Sequence, residues 1–310
     1  MTKPIKIAIV GVGKIAKEQH LPAIQSNPDF ELAALINRSG RDAAVPVFTS
    51  LEAAFDAGLK FDAVAICTPP SARLNACRIA SERGCAILLE KPPSVTVEEA
   101  LVLKHLADEA GVPIFASWHA RFAPKMSEAV AWCQAHTLQG GSIEWFEDAS
   151  KWHPGQVWLW RKGGFGVFDP GINSLSILTA LYPQEWRVSD PVFEVPVNVD
   201  MPLSADFVLK GDHAEVRAVF DFRPTTTETW SIHLEATDGS TLDLTEGGAV
   251  MSIDRETGQR GEGNEYMSLY KHFAELVRNG QTDFDLSPLV LTEAAFALAR
   301  LINIEPIEMG

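Results

Sequence analysis

The chain has few cysteines and no long apolar run. Four of its 310 residues are cysteine (Cys67, Cys77, Cys85 and Cys133), and they form no CxxC pair of the kind that metal and redox sites use. A chain of this length does not need disulfides, so we expect reduced thiols in a cytoplasmic protein. No stretch comes near the roughly 18 uninterrupted apolar residues of a membrane span, which excludes integral membrane proteins. The opening MTKPIKIAIVGVG lacks a small-residue cleavage site and predicts a strand rather than a signal peptide.

Basic side chains are also scarce. Lysine and arginine number 26 against 41 aspartate and glutamate residues, which gives a net charge of −15. Such a chain repels phosphate backbones and anionic lipids, so we expect neither nucleic acid nor a membrane as a partner. With 46% hydrophobic residues, the 310 residues can bury a core in each of two domains. We predict a first domain over residues 1–120 and a second over residues 121–310.

Short apolar runs alternate with helical stretches in the first 120 residues. Strands are predicted at 5–10, 30–36, 61–67, 85–90 and 112–118, with helices between them at 14–25, 51–57, 71–83 and 97–110. Strands that are apolar throughout predict a parallel sheet covered on both faces. Thr96 and Glu99 are spaced as a capping box for the last helix, and Pro22 predicts a kink or a restart in the first. The expected fold is a doubly wound α/β domain of the Rossmann type.

The pattern changes in residues 121–310. Helical stretches at 124–135 and 170–181 flank a strand at about 142–148, and alternating runs follow between residues 192 and 244. The Asp238-Gly239 pair between two of these runs is typical of a hairpin turn. Consecutive alternating strands predict an α+β domain built on a large, open, mostly antiparallel sheet. Such a sheet suits a subunit interface, and we expect a homo-oligomer, a dimer or a tetramer, formed through it.

A glycine-rich turn, Gly11 to Ala16, follows directly after the first predicted strand and opens a helix. Gly11 permits a tight turn, and Gly13 lets the backbone approach a pyrophosphate at the helix N-terminus. Ala16 takes the close-packing position of the motif. Because a full series of βαβ units surrounds it, this turn predicts a dinucleotide site, in which Lys14 and Ile15 also contact the cofactor.

The end of the next strand indicates which dinucleotide is bound. NAD-binding proteins usually place a carboxylate there on the ribose hydroxyls, whereas this chain has Asn37, Arg38 and Ser39. A guanidinium beside two small polar side chains suits a 2′-phosphate, and no carboxylate is there to repel it. We therefore predict NADP as the preferred cofactor, with NAD tolerated. A solvated loop arginine is the alternative interpretation of Arg38.

Two further segments place polar groups where a ligand would bind. Lys91 follows the fourth strand, and ligands of open α/β sheets bind outside the carboxyl ends of the strands. Pro92 fixes this turn and is a candidate for a cis bond, although a lysine in a surface turn is an ordinary feature. In the glycine-rich segment 163–173, Asn173 lies one helical turn beyond Asp169 on the same face. Asp169 followed by Pro170 is also typical of an ordinary helix N-cap.

Taken together, these motifs resemble the glucose-fructose oxidoreductase / inositol dehydrogenase / rhizopine-catabolism (Gfo/Idh/MocA) oxidoreductases. The resemblance covers essentially the whole chain, through GVGKIA, TPP at 68–70, EKP at 90–92 and GG-x-G-x-x-D-x-G-x-N at 163–173. Three segments (SWHAR at 117–121, WHPGQVWLW at 152–160 and FDPGIN at 168–173) are similar to the NAD(P)-dependent aldose 1-dehydrogenases of D-galactose and L-arabinose. The family usually has histidine where this chain has Asn173, a departure that the aldose subgroup shares. The resemblance implies further cofactor contacts at Cys67, Thr68, Pro69, Glu90 and Lys91.

This resemblance implies oxidation of an aldopyranose at C1 to a lactone, with hydride transfer to NADP or NAD. The reaction needs a proton acceptor near O1 and polar groups that hold the ring hydroxyls. Asn173 cannot accept a proton at neutral pH, which leaves Asp169, neutral Lys91 or a relay joining them as the base. We assign Lys91 and Asp169 as a coupled pair, and Asn173 as the third catalytic residue, which orients the sugar.

Six of the eight tryptophans lie between residues 118 and 160. Flat apolar rings beside polar side chains suit the CH face of a sugar, although tryptophan is more often a core residue. We predict that the sugar contacts Trp152, the hydroxyl-binding candidates His119, Glu147 and His153, and Tyr270. No metal is expected, because oxidation of C1 with a nicotinamide needs none.

Two other functions fit the same fold. One is a dehydrogenase acting on an inositol, a dihydrodiol or a keto sugar, against which the segment WHPGQ argues. The other is a non-enzymatic regulator that senses NADP. Lys91 and Asp169 argue against a regulator, because a sensor does not need them.

Overall fold

The structure, a computed structural model, describes residues 3–38, 44–224 and 227–308. The chain divides into two compact units. The first comprises Met1–His119 and Asn264–Leu286, and the second comprises Ala120–Gly263 and Ser287–Gly310. This division differs from the predicted one because the segment 264–286 belongs to the first unit. None of the helices among the described residues is long and apolar enough to cross a membrane.

The strands are β1 Ile5–Val10, β2 Phe30–Ile36, β3 Val47–Phe48, β4 Ala63–Ile66, β5 Ala86–Glu90, β6 Ile114–Ser117, β7 Leu138–Phe146, β8 Arg187–Pro196, β9 Ser204–Lys210, β10 Glu215–Asp221, β11 Thr229–Ala236, β12 Thr241–Thr245, β13 Val250–Ile253, β14 Gln259–Arg260 and β15 Arg300–Ile304. The helices are α1 Leu21–Ser26, α2 Leu51–Asp56, α3 Leu74–Glu82, α4 Val97–Ala110, α5 Met126–Ala135, α6 Ala149–Trp152, α7 Phe168–Leu181, α8 Glu265–Asn279 and α9 Ser287–Leu298.

The sheet of the first unit is parallel, with the strand order β3-β2-β1-β4-β5-β6. Strand β1 lies between β2 and β4, and Val10 at its end is paired with both Ile36 and Ile66. The carboxyl ends of these three strands are therefore aligned at one edge, next to the point where the strand order reverses. Ligands of doubly wound sheets bind at this position. The predicted doubly wound fold is confirmed.

Local sequence signals account for the helix ends of this unit. The Thr96 side chain accepts a hydrogen bond from the Glu99 N–H, and Gly111 ends α4 in the left-handed conformation. The first predicted helix is divided: a π-helical turn at Ala16–His20 precedes α1, which begins at Leu21 with Pro22 in its first turn. Helical φ and ψ angles continue through His20 and Leu21, and the Leu21 N–H bonds to Ala16 O, so the hydrogen-bond pattern changes from π to α just before Pro22. The predicted interruption of the first helix at Pro22 takes this form.

Helix α8 explains why the first unit contains a segment from the far end of the sequence. Its buried face carries Tyr266, Leu269, Tyr270 and Phe273, and Phe273 stacks on Phe30 of β2. The helix is strongly amphipathic, and packing of this face on the sheet buries aromatic surface that would otherwise be exposed to water. The helix begins at the Asn264 cap and ends at Gly280, so it is a complete local element that packs on the sheet.

In the described residues, the sheet of the second unit has the order β14-β13-β12-β11-β7-β10-β9-β8-β15. Its pairs are antiparallel except β7 with β10 and β8 with β15. Burial alternates along β9 and β10, as expected for a sheet with one covered face. Helix α7 packs on β7 and β11, and α9 packs on β8. The predicted open, mostly antiparallel α+β unit is confirmed.

Candidate active site

The glycine turn after β1 has the geometry of a dinucleotide-binding loop. Gly11 has φ +88°, and a Cβ built there would lie 2.8 Å from Thr68 Cγ2, so only glycine fits. A Cβ at Gly13 would meet nothing within 4 Å, which leaves the space beside the turn open. The helical segment that leads into α1 begins at Lys14. Ala16 within it is completely buried, as its close-packing role requires. A backbone that faces open space at a helix N-terminus suits a phosphate group.

The ends of β2 and β4 border this turn. Asn37 donates its backbone N–H to Phe48 O at 2.8 Å, and Arg38 is exposed immediately after it. Ser39, the third residue of the predicted 2′-phosphate site, lies outside the described residues. The Cys67 N–H donates to Val10 O at 2.8 Å, and Pro69 follows Thr68 in an extended conformation. Thr68 Oγ1 is buried and has no hydrogen-bond partner among the described residues, so it is available to a ligand.

Lys91 follows β5 in a turn that buried side chains hold by its backbone. The Lys91–Pro92 peptide bond is cis, as predicted. Glu90 is 3% exposed, and its Oε2 accepts a hydrogen bond from the Lys91 N–H. Arg73, also buried, donates to the backbone oxygens of Glu90 and Pro92 and, at 2.8 and 3.0 Å, to Thr68 O. The turn is therefore fixed by charged groups on both sides.

Glu90 belongs to a buried polar cluster, the Glu90 cluster, which also contains His20, Tyr266 and Tyr270. His20 Nε2 lies 3.3 Å from Glu90 Oε1, to which Tyr266 also donates its hydroxyl. His20 Nδ1 lies 2.7 Å from the Tyr270 hydroxyl oxygen, so both ring nitrogens face oxygen atoms. All four residues belong to the first unit, although 250 positions of sequence separate His20 from Tyr270.

Burial and charge oppose each other in this cluster. Burial favours the neutral form of Glu90, but the hydrogen bond and charge of His20 outweigh it and, with the charges of His119 and Lys91, lower the pKa of Glu90 to about 2. Burial likewise opposes the charge of His20, yet its contacts with Cys67, Tyr270 and Glu90 raise the pKa of His20 well above its ordinary value. Burial and the neighbouring Glu90 raise the pKa of the Tyr266 hydroxyl. Both directions favour the charged forms, an imidazolium beside a carboxylate.

A second polar cluster, the Glu147 cluster of Glu147, His153 and Asp169, lies in the second unit, between the end of β7 and the start of α7. His153 Nε2 lies 3.1 Å from Glu147 Oε1 and 3.9 Å from Asp169 Oδ2. The second oxygen of Glu147 accepts a hydrogen bond from Trp230 Nε1 at 3.2 Å. Glu147 and Asp169 are buried, so the His153 imidazole lies between two carboxylates that are shielded from water. Electrostatic interactions are stronger in such a site than in water.

Asn173 and Asp169 share the first part of α7. The helix begins at Phe168 with Val167 as its N-cap, so the interpretation of Asp169 as the N-cap is wrong by two residues: Asp169 lies inside the first turn. There the helix dipole stabilises its negative charge. Asn173 Oδ1, one turn on, is buried and lacks a hydrogen-bond partner in the described structure, which leaves it free to accept one from a ligand.

Trp152 is the predicted sugar-contacting tryptophan, and it is partly exposed beside this cluster. Its ring packs edge-on against Trp230 at a centroid distance of 6.0 Å, and its Nε1 donates to Glu228. Lys151 bonds to Glu228 at 2.9 Å and lies over the Trp152 ring. Most of the other tryptophans in the 118–160 segment belong to the core: Trp118, Trp132, Trp145 and Trp160 are buried.

The two remaining predicted sugar contacts, His119 and Tyr270, lie in the first unit. His119 Nδ1 is 2.5 Å from Glu265 Oε2, and its ring stacks on Tyr266 at 5.3 Å. Tyr270 is completely buried, and its hydroxyl pairs with His20. His119 is thus in contact with α8, and Tyr270, which is on α8, is in contact with the helical turn after β1. Sugar binding by either of them stays a prediction.

Comparisons with known proteins agree with this geometry. Residues 5–117 match the model of an oxidoreductase family with an NAD-binding Rossmann fold, Gfo/Idh/MocA. Galactose 1-dehydrogenase of Pseudomonas fluorescens is 39% identical over 305 residues, 98% of each chain. The chain belongs to this oxidoreductase family. The crystal structure of D-galactose-1-dehydrogenase from Rhizobium etli superposes with a TM-score of 0.92 at 41% identity, covering 99% of each chain. The NADP-dependent D-xylose 1-dehydrogenase of Haloarcula marismortui is 30% identical over 140 residues, 41% of this chain and 38% of that one.

The resemblance to Gfo/Idh/MocA oxidoreductases seen in the sequence is thus confirmed, and the similarity to galactose 1-dehydrogenases extends through both units. The structure also adds residues that the sequence patterns did not single out. Trp230 and Glu228 join the Glu147 cluster from the start of β11, and the Trp145–Trp230 pairing of β7 with β11 brings them there. In the first unit His20 and Arg73 are new. A single histidine or arginine in a helical stretch carries no motif, so no local signal identifies them.

Proposed function

We propose that this oxidoreductase oxidises the C1 hydroxyl of an aldopyranose, D-galactose or L-arabinose, to the lactone, with NADP as the preferred hydride acceptor. The observation that carries the proposal is the 39% identity to a galactose 1-dehydrogenase along 98% of both chains. A similarity confined to the Rossmann unit would support cofactor binding alone. Here the second unit, which contains the Glu147 cluster, takes part in the match.

The reaction breaks the C1–H bond with its electron pair and the O1–H bond with loss of a proton, and C1=O forms. When bound, NADP would supply the hydride acceptor. We assign the proton to the coupled pair of Lys91 and Asp169, as the sequence predicts. Asp169 is buried in the first turn of α7, where its carboxylate is stabilised. Asn173, whose buried Oδ1 lacks a partner in the described chain, accepts a hydrogen bond from a sugar hydroxyl.

The Glu147 cluster supplies the groups that a pyranose needs. Sugar hydroxyls donate to carboxylates and bond to imidazole nitrogens, and the apolar CH face packs on indole rings. Glu147 and His153 provide the first kind of contact, and Trp152 provides the second beside Trp230. A buried polar atom that is left without a hydrogen-bond partner weakens the binding of the sugar. This cluster therefore discriminates against sugars that lack the matching hydroxyl.

The cofactor preference rests on the end of β2. Arg38 is exposed and the neighbouring polar residue is Asn37, not an acid; the name of one relative, D-xylose 1-dehydrogenase, includes NADP. If Arg38 binds the 2′-phosphate, Arg38→Ala lowers kcat/KM with NADP more than kcat/KM with NAD. The difference corresponds to about 1.5–3 kcal/mol of activation free energy, as expected for the loss of a charge-assisted hydrogen bond. The measurement is kcat/KM with each cofactor at saturating sugar. An unchanged ratio removes the assignment of Arg38.

The substrate proposal is tested by following NADPH absorbance across a panel of aldoses, inositols and keto sugars. We expect reduction of NADP with D-galactose and L-arabinose and none with methyl galactoside, which has no free O1–H. Slow acidification follows as the lactone opens to the acid. Robust reduction with the methyl glycoside, once free sugar is excluded, contradicts oxidation at C1 and favours an inositol or keto-sugar dehydrogenase. Binding of NADP with no turnover on any of these compounds favours a regulator.

We propose a homo-oligomer, a dimer or a tetramer, formed through the open face of the sheet in the second unit, because alternate side chains of β9 and β10 lie outside the core. Light scattering gives the mass, and a monomer contradicts this proposal. A cytoplasmic location is supported by the four cysteines, which are all free.

A further inference from the structure

The Glu90 cluster is costly to bury, and the proposed hydride and proton transfers use none of His20, Tyr266 and Tyr270. His20 and Tyr270 are completely buried, and Tyr266 and Glu90 are nearly so. Replacing a buried ion pair by apolar residues of similar volume is often neutral or stabilising. Stability alone therefore does not explain why this chain has a buried ion pair here. Its position next to Lys91 suggests what it does.

The carboxylate of Glu90 joins the cluster to the backbone of Lys91. Its Oε1 takes the bonds from His20 and Tyr266, and its Oε2 takes the Lys91 N–H. Both oxygens therefore have partners, and the carboxylate cannot rotate without breaking a charge-assisted hydrogen bond. The Tyr270 hydroxyl in turn fixes the other nitrogen of His20.

The opposite side of the same turn is held by Arg73. This buried guanidinium binds the backbone oxygens of Glu90 and Pro92, the residues on either side of Lys91. Arg73 is anchored at the start of α3, and the Glu90 cluster is anchored by α8 and by the helical turn after β1. Three elements that are far apart in sequence thus converge on one residue of backbone.

We propose that His20, Tyr266 and Tyr270 are positioning residues, which fix Glu90 and through it the backbone from which the Lys91 side chain acts. The inference rests on the proposed role of Lys91 in proton transfer. A reacting group displaced by about 1 Å can lose on the order of 100-fold in rate, so loosening this backbone lowers kcat. Tyr270 is also a predicted sugar contact, so the comparison of kcat with KM is made first at Tyr266, whose hydroxyl bonds to Glu90 and whose replacement should change sugar and cofactor binding little.

The test uses single-hydroxyl deletions at graded distances from Lys91. Tyr266→Phe removes a direct donor to Glu90, and we expect kcat to fall about tenfold, with the KM for sugar and the Kd for NADP within about twofold of the wild type. Tyr270→Phe acts one residue further away and lowers kcat less. The matched control is Tyr182→Phe, which removes the third tyrosine hydroxyl of the chain; that hydroxyl bonds to His136 O at 3.3 Å in the second unit. It leaves kcat unchanged.

A second readout does not depend on activity. The Lys91 N–H is bonded to Glu90, and the next two residues are prolines, which have no amide hydrogen. Amide hydrogen exchange of this turn, measured by mass spectrometry with residue-level fragmentation, therefore reports on Lys91 itself. We expect about tenfold faster exchange in Tyr266→Phe and no change in Tyr182→Phe. His20→Gln, which keeps an N–H near the Nε2 position, retains more protection than His20→Ala.

The outcomes separate the two proposals. If the wild type turns over no sugar while Lys91 exchange responds as expected, the proposed function fails and the positioning role stands. If Tyr266→Phe lowers the melting temperature but leaves kcat and Lys91 exchange unchanged, the cluster is only structural and the inference is overturned. Equal losses of kcat in Tyr266→Phe and Tyr182→Phe overturn it as well. Should Tyr266→Phe fail to fold, Tyr270→Phe and His20→Gln give the same comparison.

Discussion

Substituting Glu90 by glutamine removes one charge from the Glu90 cluster and changes the dependence of stability on pH. In the folded protein the pKa of Glu90 is lowered from 4.5 to about 2, and the residue is buried. A shift of this size corresponds to about 3 kcal/mol of stabilisation at neutral pH. Removing one partner of a buried ion pair costs a similar amount, about 3–5 kcal/mol. We therefore expect Glu90→Gln to lower the free energy of unfolding by about 3 kcal/mol at pH 6.

The sign of the pH dependence follows from the direction of each shift. A carboxylate with a lowered pKa stabilises the folded state above about pH 4.5, and that contribution is lost as the pH falls towards 2. His20, with a raised pKa, stabilises it below about pH 6.5, and its contribution is lost as the pH rises through the folded value. The difference between wild type and Glu90→Gln should be largest between about pH 4.5 and 6.5 and should shrink towards pH 2.

The assay is urea unfolding followed by circular dichroism at several pH values, with hydrogen exchange of β5 amides to assign the loss to the first unit. The control is Glu31→Gln, which removes an exposed carboxylate of β2 that lies 3.8 Å from Lys6. We expect the control to change the free energy of unfolding by less than about 1 kcal/mol at any pH. If wild type and Glu90→Gln lose stability in parallel between pH 5 and 2, Glu90 is not held as a carboxylate and the charged pair is refuted.

Three further predictions concern the candidate site. Gly11→Ala should unfold the first unit or destabilise it by several kcal/mol, because φ at this position is +88° and the new Cβ would lie 2.8 Å from Thr68 Cγ2. Gly13→Ala, whose Cβ would meet nothing within 4 Å, should change the free energy of unfolding by less than about 1 kcal/mol but weaken NADP binding, measured by fluorescence titration. Lys91→Ala and Asp169→Asn should each lower kcat severely at unchanged NADP affinity, and the double variant should be far from additive; full additivity contradicts the coupled pair. Trp152→Ala should raise the KM for sugar by about tenfold with little change in kcat, whereas an unchanged KM removes this residue from the sugar site.

The sheet of the first unit could be predicted from the sequence because its strands are continuous apolar runs. Every residue of β4 and β5 is buried, and the alternation of such runs with capped helices leaves few other arrangements. The two-residue strand β3 was missed, since Val47 and Phe48 are too short a run to give a periodic signal. In the second unit the hairpin at Asp238-Gly239 joins β11 and β12 as predicted, because its turn chemistry is local.

The candidate site was predictable to the extent that its residues lie in motifs. The glycine turn and the turn at Lys91 were found because one strand or one turn fixes their geometry. The contact of Glu147 with His153 does not follow from any spacing rule, because each residue is only a single candidate in the sequence. The short helix α6 between them brings them together. Trp230 reaches Glu147 through the register of β11 on β7, which depends on the whole sheet.

The discontinuity of the first unit and the buried charge at the end of β5 have one origin. A strand that is buried along its entire length and ends in a carboxylate needs donors that the neighbouring strands cannot supply, since their own backbone groups are already paired. The sequence of the Rossmann motifs supplies His20, and the remaining hydroxyls come from Tyr266 and Tyr270 on α8. A boundary drawn where the βαβ pattern stops therefore cuts α8 away from the group it satisfies. The hydroxyls of Tyr266 and Tyr270, together with the stacking of Phe273 on Phe30, assign this amphipathic helix to the first unit.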